Sequence, residues 1–277
     1  MDSATIIIIT TFLAAMVNGG LGYGFSSITV PVALLFYSST LFNPAIVLIE
    51  IAINLYLLAL HWQSIKSLAG RVMPMIIGAL PGILLGATLL ASVNADGIKL
   101  ITFSFLLPLV LLQAAGIRRP VQSEKTAGFF FGGGIGFFYA ITTVSGPPLA
   151  IMLNNQGLAK KDFRTALGLI RFSLSSTTAL SYYHLGFYQR ESIDMLTTML
   201  PSVIVGIPLG VFVIRRINPE TFRRVCMSFD AWFVSFGLSR MLVKLGLLSD
   251  PYAYAPIILT VIIDGILMYA YVKKKNQ

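Results

Sequence analysis

Ser145-Gly146-Pro147-Pro148 interrupts a run of residues apolar enough to lie in lipid. The two prolines remove two amide donors, and Pro147 disfavours a helical Gly146. A helix is therefore expected to stop before Ser145 and to restart at the prolines, whose φ suits a first helical turn. Such a restart leaves unbonded amides and a positive helix end within the bilayer, which is the chemistry of an anion site. Broken backbone survives in lipid only where it lines a cavity or is buried in protein. The alternative at this point is a packing kink. Gly22, Gly24, Ser26 and Ser27 form a second interruption of the same kind, in which glycine admits an anion to the amides and serine adds hydroxyls. Gly78, Gly82 and Gly86 differ, as do Gly128, Gly132 and Gly136, and Gly206 with Gly210, because four-residue spacing builds a small-residue packing face.

Glu50 and Arg171 lie a third to halfway along their apolar segments, where an ionisable group costs roughly 2.5–3.5 kcal/mol. Arg171 reads as an anion ligand and Glu50 as a proton-coupling group; the alternative is a static ion pair bracing the molecule. Asn54 and Ser175, one turn onward in each segment, can complete either arrangement. Asp264, in the middle of the last segment, is the other expected proton carrier. Asp230 is a further candidate proton carrier, but with Arg223 and Arg224 one or two turns away a surface-directed pair is the expected role for it. Asn154, with Asn155 and Gln156, follows the second break and is expected to line its mouth or to cap a helix. Tyr182, Tyr183 and His184 read as an interfacial aromatic belt, with His61 and Trp62 on the other side. The two histidines stand at opposite faces and Cys226 is the single cysteine. No cofactor, metal site, disulfide or serine–histidine intramembrane enzyme is therefore expected.

The elements that must position these residues are membrane helices. Of the 277 residues 56% are hydrophobic and 11% charged, with apolar runs recurring from end to end. This is the composition of an all-α polytopic membrane protein with no room for a soluble domain. Its net charge of +9 points to loops held in the cytoplasm rather than to nucleic acid. Segments 4–37 and 127–157 are too long for one straight crossing of a hydrocarbon core of about 30 Å.

At an offset of 121, Phe42-Asn43-Pro44 falls on Phe163-Arg164-Thr165, Glu50 on Arg171, and Gly22–Ser27 on Thr143–Pro148. An offset of 124 carries Gly82 and Gly86 onto Gly206 and Gly210. The expected organisation is two copies of one unit. Residues 1–116 would hold a broken hairpin, 4–37, and segments 43–63, 72–92 and 97–116. Residues 117–246 would hold a broken hairpin, 127–157, and segments 163–187, 195–214 and 223–245. Residues 247–277 would add a terminal helix and a basic tail. If each overlong segment enters and leaves by one face, nearly all loop lysines and arginines share one side, leaving Lys99, Arg190 and Lys244 opposite. That bias puts the N-terminus outside and the C-terminus in the cytoplasm. It also makes the two units inverted copies, a recurrent plan of secondary transporters.

Val144-Ser145-Gly146-Pro147-Pro148-Leu149 is followed by Asn155-Gln156-Gly157-Leu158, and the turn at Gly22–Gly24 leads to Pro31. In these motifs, and over nearly its whole length, the chain resembles the sulfite exporter TauE/SafE family of toluenesulfonate-uptake permeases. The first turn departs from the family's usual glycine run in carrying Tyr23, Phe25, Ser26 and Ser27. The resemblance implies passage of sulfite or organosulfonates across the cytoplasmic membrane, where the residues alone reach only "anion". The expectation is a secondary transporter working by alternating access, with the anion between the two breaks and Glu50 or Asp264 linking it to protons. Its partners would be a small anionic substrate, the lipid bilayer and protons. The alternatives are an anion-selective channel of the same architecture and a carrier of non-sulfur carboxylates.

Overall fold

The computed structural model describes residues 2–115, 124–154 and 160–275, and every regular element among them is helical. In order these are α1 (Ser3–Leu21), α2 (Phe25–Ala33), α3 (Ser39–Leu60), α4 (Trp62–Ser92), α5 (Ala95–Ala115), α6 (Glu124–Thr142) and α7 (Gly146–Asn154). There follow α8 (Lys160–His184), α9 (Arg190–Ile214), α10 (Pro219–Lys244), a 3-10 turn (Tyr252–Tyr254) and α11 (Ala255–Lys275). Asn155-Gln156-Gly157-Leu158 lies outside the described residues.

Helix ends differ from the hydropathic bounds, because helices continue into polar flanks that apolarity does not register. The largest difference is at α4. The stretch expected to connect 43–63 with 72–92 is helical from Trp62 onward, and only His61 separates α3 from α4. At 31 residues α4 is about 46 Å long, so its polar first turns extend beyond a hydrocarbon core of about 30 Å. Among the described residues, six stretches are long and apolar enough to cross a membrane: α1, α3, α4, α5, α9 and Tyr252–Lys273. α8 and α10, also expected to cross, are less apolar because their polar residues face protein. Thr165, Arg171, Ser175 and Thr178 are buried on α8, as are Ser228, Asp230, Ser235 and Ser239 on α10. The outside of the bundle is conversely apolar, with Leu84, Leu85, Phe130 and Ile204 among its exposed side chains.

Both breaks form where expected. α1 has 19 residues and α2 has 9, about 28 and 14 Å, so a half-length helix returns along a full-length one. The Tyr37 hydroxyl donates to Ser3 Oγ at 3.3 Å, which closes the foot of this hairpin. α6 and α7 repeat the lengths, 19 and 9 residues. Asn43, near the start of α3, donates to Ile141 O at the tip of the second hairpin (2.8 Å). Arg164, near the start of α8, donates to Gly20 O at the tip of the first. These two bonds are the same contact displaced by 121 residues.

Each hairpin packs on a long helix from the other half of the chain. A methyl group on Gly82 or Gly86 of α4 would run into the carbonyls of Gly133 and Phe137 on α6. On α9, one on Gly206 would meet Phe12 O at 2.8 Å, and one on Gly210 would run into Met16 O, both on α1. Lipid supplies no hydrophobic drive between helices, so close backbone approach at small residues is what holds such pairs. Gly210→Ala is accordingly expected to destabilise the protein by about 1–3 kcal/mol through overpacking. Gly134, also helical, has nothing near its missing side chain, and Gly134→Ala is expected to be neutral or mildly stabilising. Thermal unfolding in detergent reads both; equal effects would mean the glycine faces do not carry the packing.

Candidate functional site

The first tip is made by backbone that favours glycine. Gly22 (φ 85°) and Gly24 (φ 105°) are left-handed, a conformation open to glycine at no steric cost. Gly22 N–H closes α1 on Asn18 O (2.7 Å), and Gly24 O opens α2 by accepting from Ile28 N–H (3.3 Å) and from the Ser27 hydroxyl (3.2 Å). The amides of Phe25, Ser26 and Ser27 then have no acceptor within the helix. The second tip is built differently. Thr143 is left-handed (φ 54°) without being glycine, a strain of order 1–3 kcal/mol. Its amide is tied to Tyr139 O (2.7 Å) and its hydroxyl to Thr142 O (2.7 Å). Leu149 N–H bonds to Ser145 O (3.1 Å), so the first turn of α7 is Gly146, Pro147 and Pro148. Only Gly146 has an amide to offer. The expectation of unbonded amides at both tips is corrected by this asymmetry: α2 brings a run of donors, α7 one amide beside the Ser145 hydroxyl.

The tips meet. A side chain on Gly146 would lie 3.3 Å from Tyr23 Cβ and 3.4 Å from Gly24 N. Tyr23 O–H donates to Gln113 Oε1 (3.0 Å), and Gln113 Nε2 donates to Pro147 O (2.9 Å), so α5 clasps both tips. Ser26, Ser27 and Ser145 are buried, and Ser145 Oγ has no hydrogen-bond partner among the described residues. An orphaned buried hydroxyl beside two helix N-termini is a donor set facing inward.

Glu50 and Arg171 form the ion pair that was one of the two readings. Arg171 Nη2 lies 2.6 Å from Glu50 Oε1, and both side chains are fully buried. Tyr139 O–H donates to Glu50 Oε2 (2.7 Å), while Arg171 Nη1 donates to Asn18 Oδ1 and to Gly22 O, each at 3.3 Å. Asn18 and Tyr139 are again related by 121 residues. Arg171 thus ties the pair to the first tip and Tyr139 ties it to the helix leading into the second. Ser175 does not join the pair; its hydroxyl bonds to Arg171 O (2.8 Å). Asn54 is buried and its Nδ2 is unpartnered among the described residues. Asn154 ends α7, and its side chain lies outside the described residues. Asp264 accepts from Ser228 Oγ at 2.6 Å in the contact between α10 and α11.

Two expectations are overturned. Asp230 makes no surface pair, because Arg223 and Arg224 both bond to Glu220 Oε1 (2.6 and 2.9 Å). Asp230 itself is 1% exposed. Tyr182 is no part of an aromatic belt: it is fully buried with its hydroxyl on Ala140 O (2.7 Å), whereas Tyr183 is 70% exposed. Sequence reasoning also missed Tyr23 and Gln113 as the clasp, and Asn18, Asn43, Tyr139 and Arg164 as tip anchors. The 121-residue offset links Asn18 to Tyr139 and Asn43 to Arg164, so that signal was present; Gln113 offered none beyond its rarity in an apolar run.

The family model described as "Sulfite exporter TauE/SafE" matches residues 7–232, which takes in both tips and the ion pair. The chain belongs to the TauE/SafE family. It is therefore a multi-pass membrane protein of a family of sulfur-anion transporters. Comparison with curated proteins and with solved structures found no match.

Removing either partner of the Glu50–Arg171 pair is expected to cost about 3–5 kcal/mol, since the other charge is left buried and bare. Exchanging them, as Glu50→Arg with Arg171→Glu, is expected not to restore stability, because the carboxylate introduced on α8 would then face the Gly22 carbonyl oxygen. Recovery of the wild-type unfolding temperature by the exchange would show that the pair acts alone.

Proposed function

We propose that this TauE/SafE protein is a secondary active transporter of a small sulfur-containing anion, sulfite or an organosulfonate, working by alternating access. The observation that carries the reading is the meeting of the two half-helix N-termini around the unpartnered Ser145 hydroxyl. The amides of Phe25, Ser26 and Ser27, that of Gly146 and the hydroxyls of Ser26 and Ser145 would hold the oxygens of a sulfite or sulfonate head. Backbone donors at helix N-termini suit an anion because the helix dipole adds to them. Gly22 and Gly24 supply the left-handed backbone that turns the chain into α2, and Pro147 and Pro148 hold the second tip rigid. Arg171 would act as a field source behind the first tip rather than as a direct ligand, since its terminal nitrogens are engaged. The chain would be organised as two inverted units and a terminal helix, which gives rocking of one unit on the other a structural basis.

Ser145→Ala removes one hydrogen bond to a charged ligand, worth about 1.5–3 kcal/mol. Affinity for sulfite in proteoliposomes is accordingly expected to fall about 10- to 100-fold. Unaltered affinity in a folded variant would exclude Ser145 from the site. The same vesicles, offered sulfite, sulfonates and matching carboxylates, assign the substrate class. Accumulation driven uphill by a pH gradient supports the carrier, and purely downhill flux supports a channel.

The N-terminus would lie outside and the C-terminus in the cytoplasm of the inner membrane. The face bearing Arg164, Arg215, Arg216, Arg223 and Arg224 would be cytoplasmic. A protease-cleavable tag at the C-terminus is expected to be protected in intact spheroplasts and cut after lysis; cleavage from outside would reverse the assignment.

A further inference from the structure

Glu50, Asp230 and Asp264 are the buried acids among the described residues. Glu50 has a donor on each oxygen, and Asp264 has the Ser228 hydroxyl. Asp230 is buried as deeply, and neither of its oxygens has a hydrogen-bond partner among the described residues. Its surroundings explain why. From α2, the Ser27 hydroxyl stands beside it, bonded to Gly24 O (3.2 Å) and able to turn to the carboxyl. On α10 itself, Cys226 is one turn away. Two turns away Arg223 is held by Glu220, with Tyr23 of the first tip facing Arg223 and Cys226. α5 offers apolar Val110 and Ala114 to this stretch of α10, its Gln113 being bonded to Tyr23 and Pro147. α1 presents Gly20 to Phe222, and α11 presents Asp264 to Ser228.

A carboxylate at this position would meet no cation and a single rotatable hydroxyl, that of Ser27, whereas a neutral carboxylic acid fits. The position also matters for the anion. Ser27 is the third residue of α2, so Asp230 stands next to the helix end proposed to hold the substrate. Two negative charges side by side in a water-poor interior repel strongly; an anion and a neutral acid do not. We propose, resting on the transport reading above, that Asp230 carries the coupling proton, in place of Glu50 or Asp264. The acid takes its proton from water on the loading face, which lets the anion settle at α2. After the molecule opens to the other face the anion leaves, and the proton returns to water there. One proton thus accompanies one anion.

The experiment compares wild type, Asp230→Asn and Asp230→Glu in proteoliposomes, with radiolabelled sulfite as probe. Asp230→Asn mimics the protonated acid without releasing a proton. It is expected to lose uphill accumulation under a pH gradient while sulfite-for-sulfite exchange persists. Asp230→Glu is expected to keep driven uptake. Uphill accumulation by Asp230→Asn at the wild-type level would overturn the proposal, as would loss of exchange together with accumulation in a folded Asp230→Asn. Infrared spectra at neutral pH give a readout independent of substrate. A protonated-carboxyl band is expected in wild type, shifted in Asp230→Glu and missing in Asp230→Asn; no difference among the three would overturn the proposal. Should wild type move neither sulfite nor sulfonates, the transport reading fails, and the infrared band still decides the state of Asp230.

Discussion

The Glu50–Arg171 pair stands where the two halves of the chain meet, and the rest of the polar interior is arranged around it. Its partners are 121 residues apart in sequence, the same displacement that relates Asn18 to Tyr139 and Asn43 to Arg164. The pair is therefore the one of these contacts whose two partners are each other's counterparts under that displacement. An ion pair in so dry a place repays its desolvation only when further hydrogen bonds satisfy most of what the pair leaves over. Here Tyr139 completes Glu50 and Asn18 and Gly22 O share one arm of Arg171, while Arg171 Nε is left without a partner among the described residues. Because those partners are tip residues or sit one turn before a tip, the charge pair and the two breaks hold one another in place.

The breaks are related by position but not by chemistry. In the first, left-handed glycines turn the chain and leave a run of amides at the start of α2. In the second, a strained threonine turns the chain and paired prolines strip the start of α7 of all but one amide. Proline pre-sets the backbone angle of a helix start and removes the donor that start would otherwise present. One tip is accordingly suited to binding and the other to rigidity, and Ser145 returns to the second a donor of the kind its prolines removed. The contacts repeated at 121 residues are thus kept while the free backbone donors concentrate on the first tip.

The glycine faces of α4 and α9 serve the same arrangement from outside. Each lets a hairpin from the other half come close enough for backbone to touch backbone, so neither half is complete without its neighbour. Gln113 adds a direct tie between the tips. The hairpins are thus seated by packing along their length and by polar bonds at their ends, and the acid at Asp230 is enclosed where α10 passes the first tip.

The broken segments, their matching offset, the family motif and the candidate charges were all legible in the chain itself. Each is a local property: proline geometry, glycine spacing and the cost of charge in an apolar run act within a few residues or recur at a fixed interval. The choice between ion pair and free ligand at Glu50 and Arg171 was not legible, nor was the burial of Asp230 and Tyr182. Those depend on which donor a distant helix brings within bonding distance. Arg223 and Arg224 were near enough along α10 to claim Asp230, but helix rotation turned them to Glu220 and turned Asp230 toward α2. Sequence alone determined where the chain must break and that the interior must hold charge. Tertiary structure decided which charges meet and which remain alone, because a hydrogen bond is a matter of a few ångströms between residues that the chain order leaves a hundred positions apart.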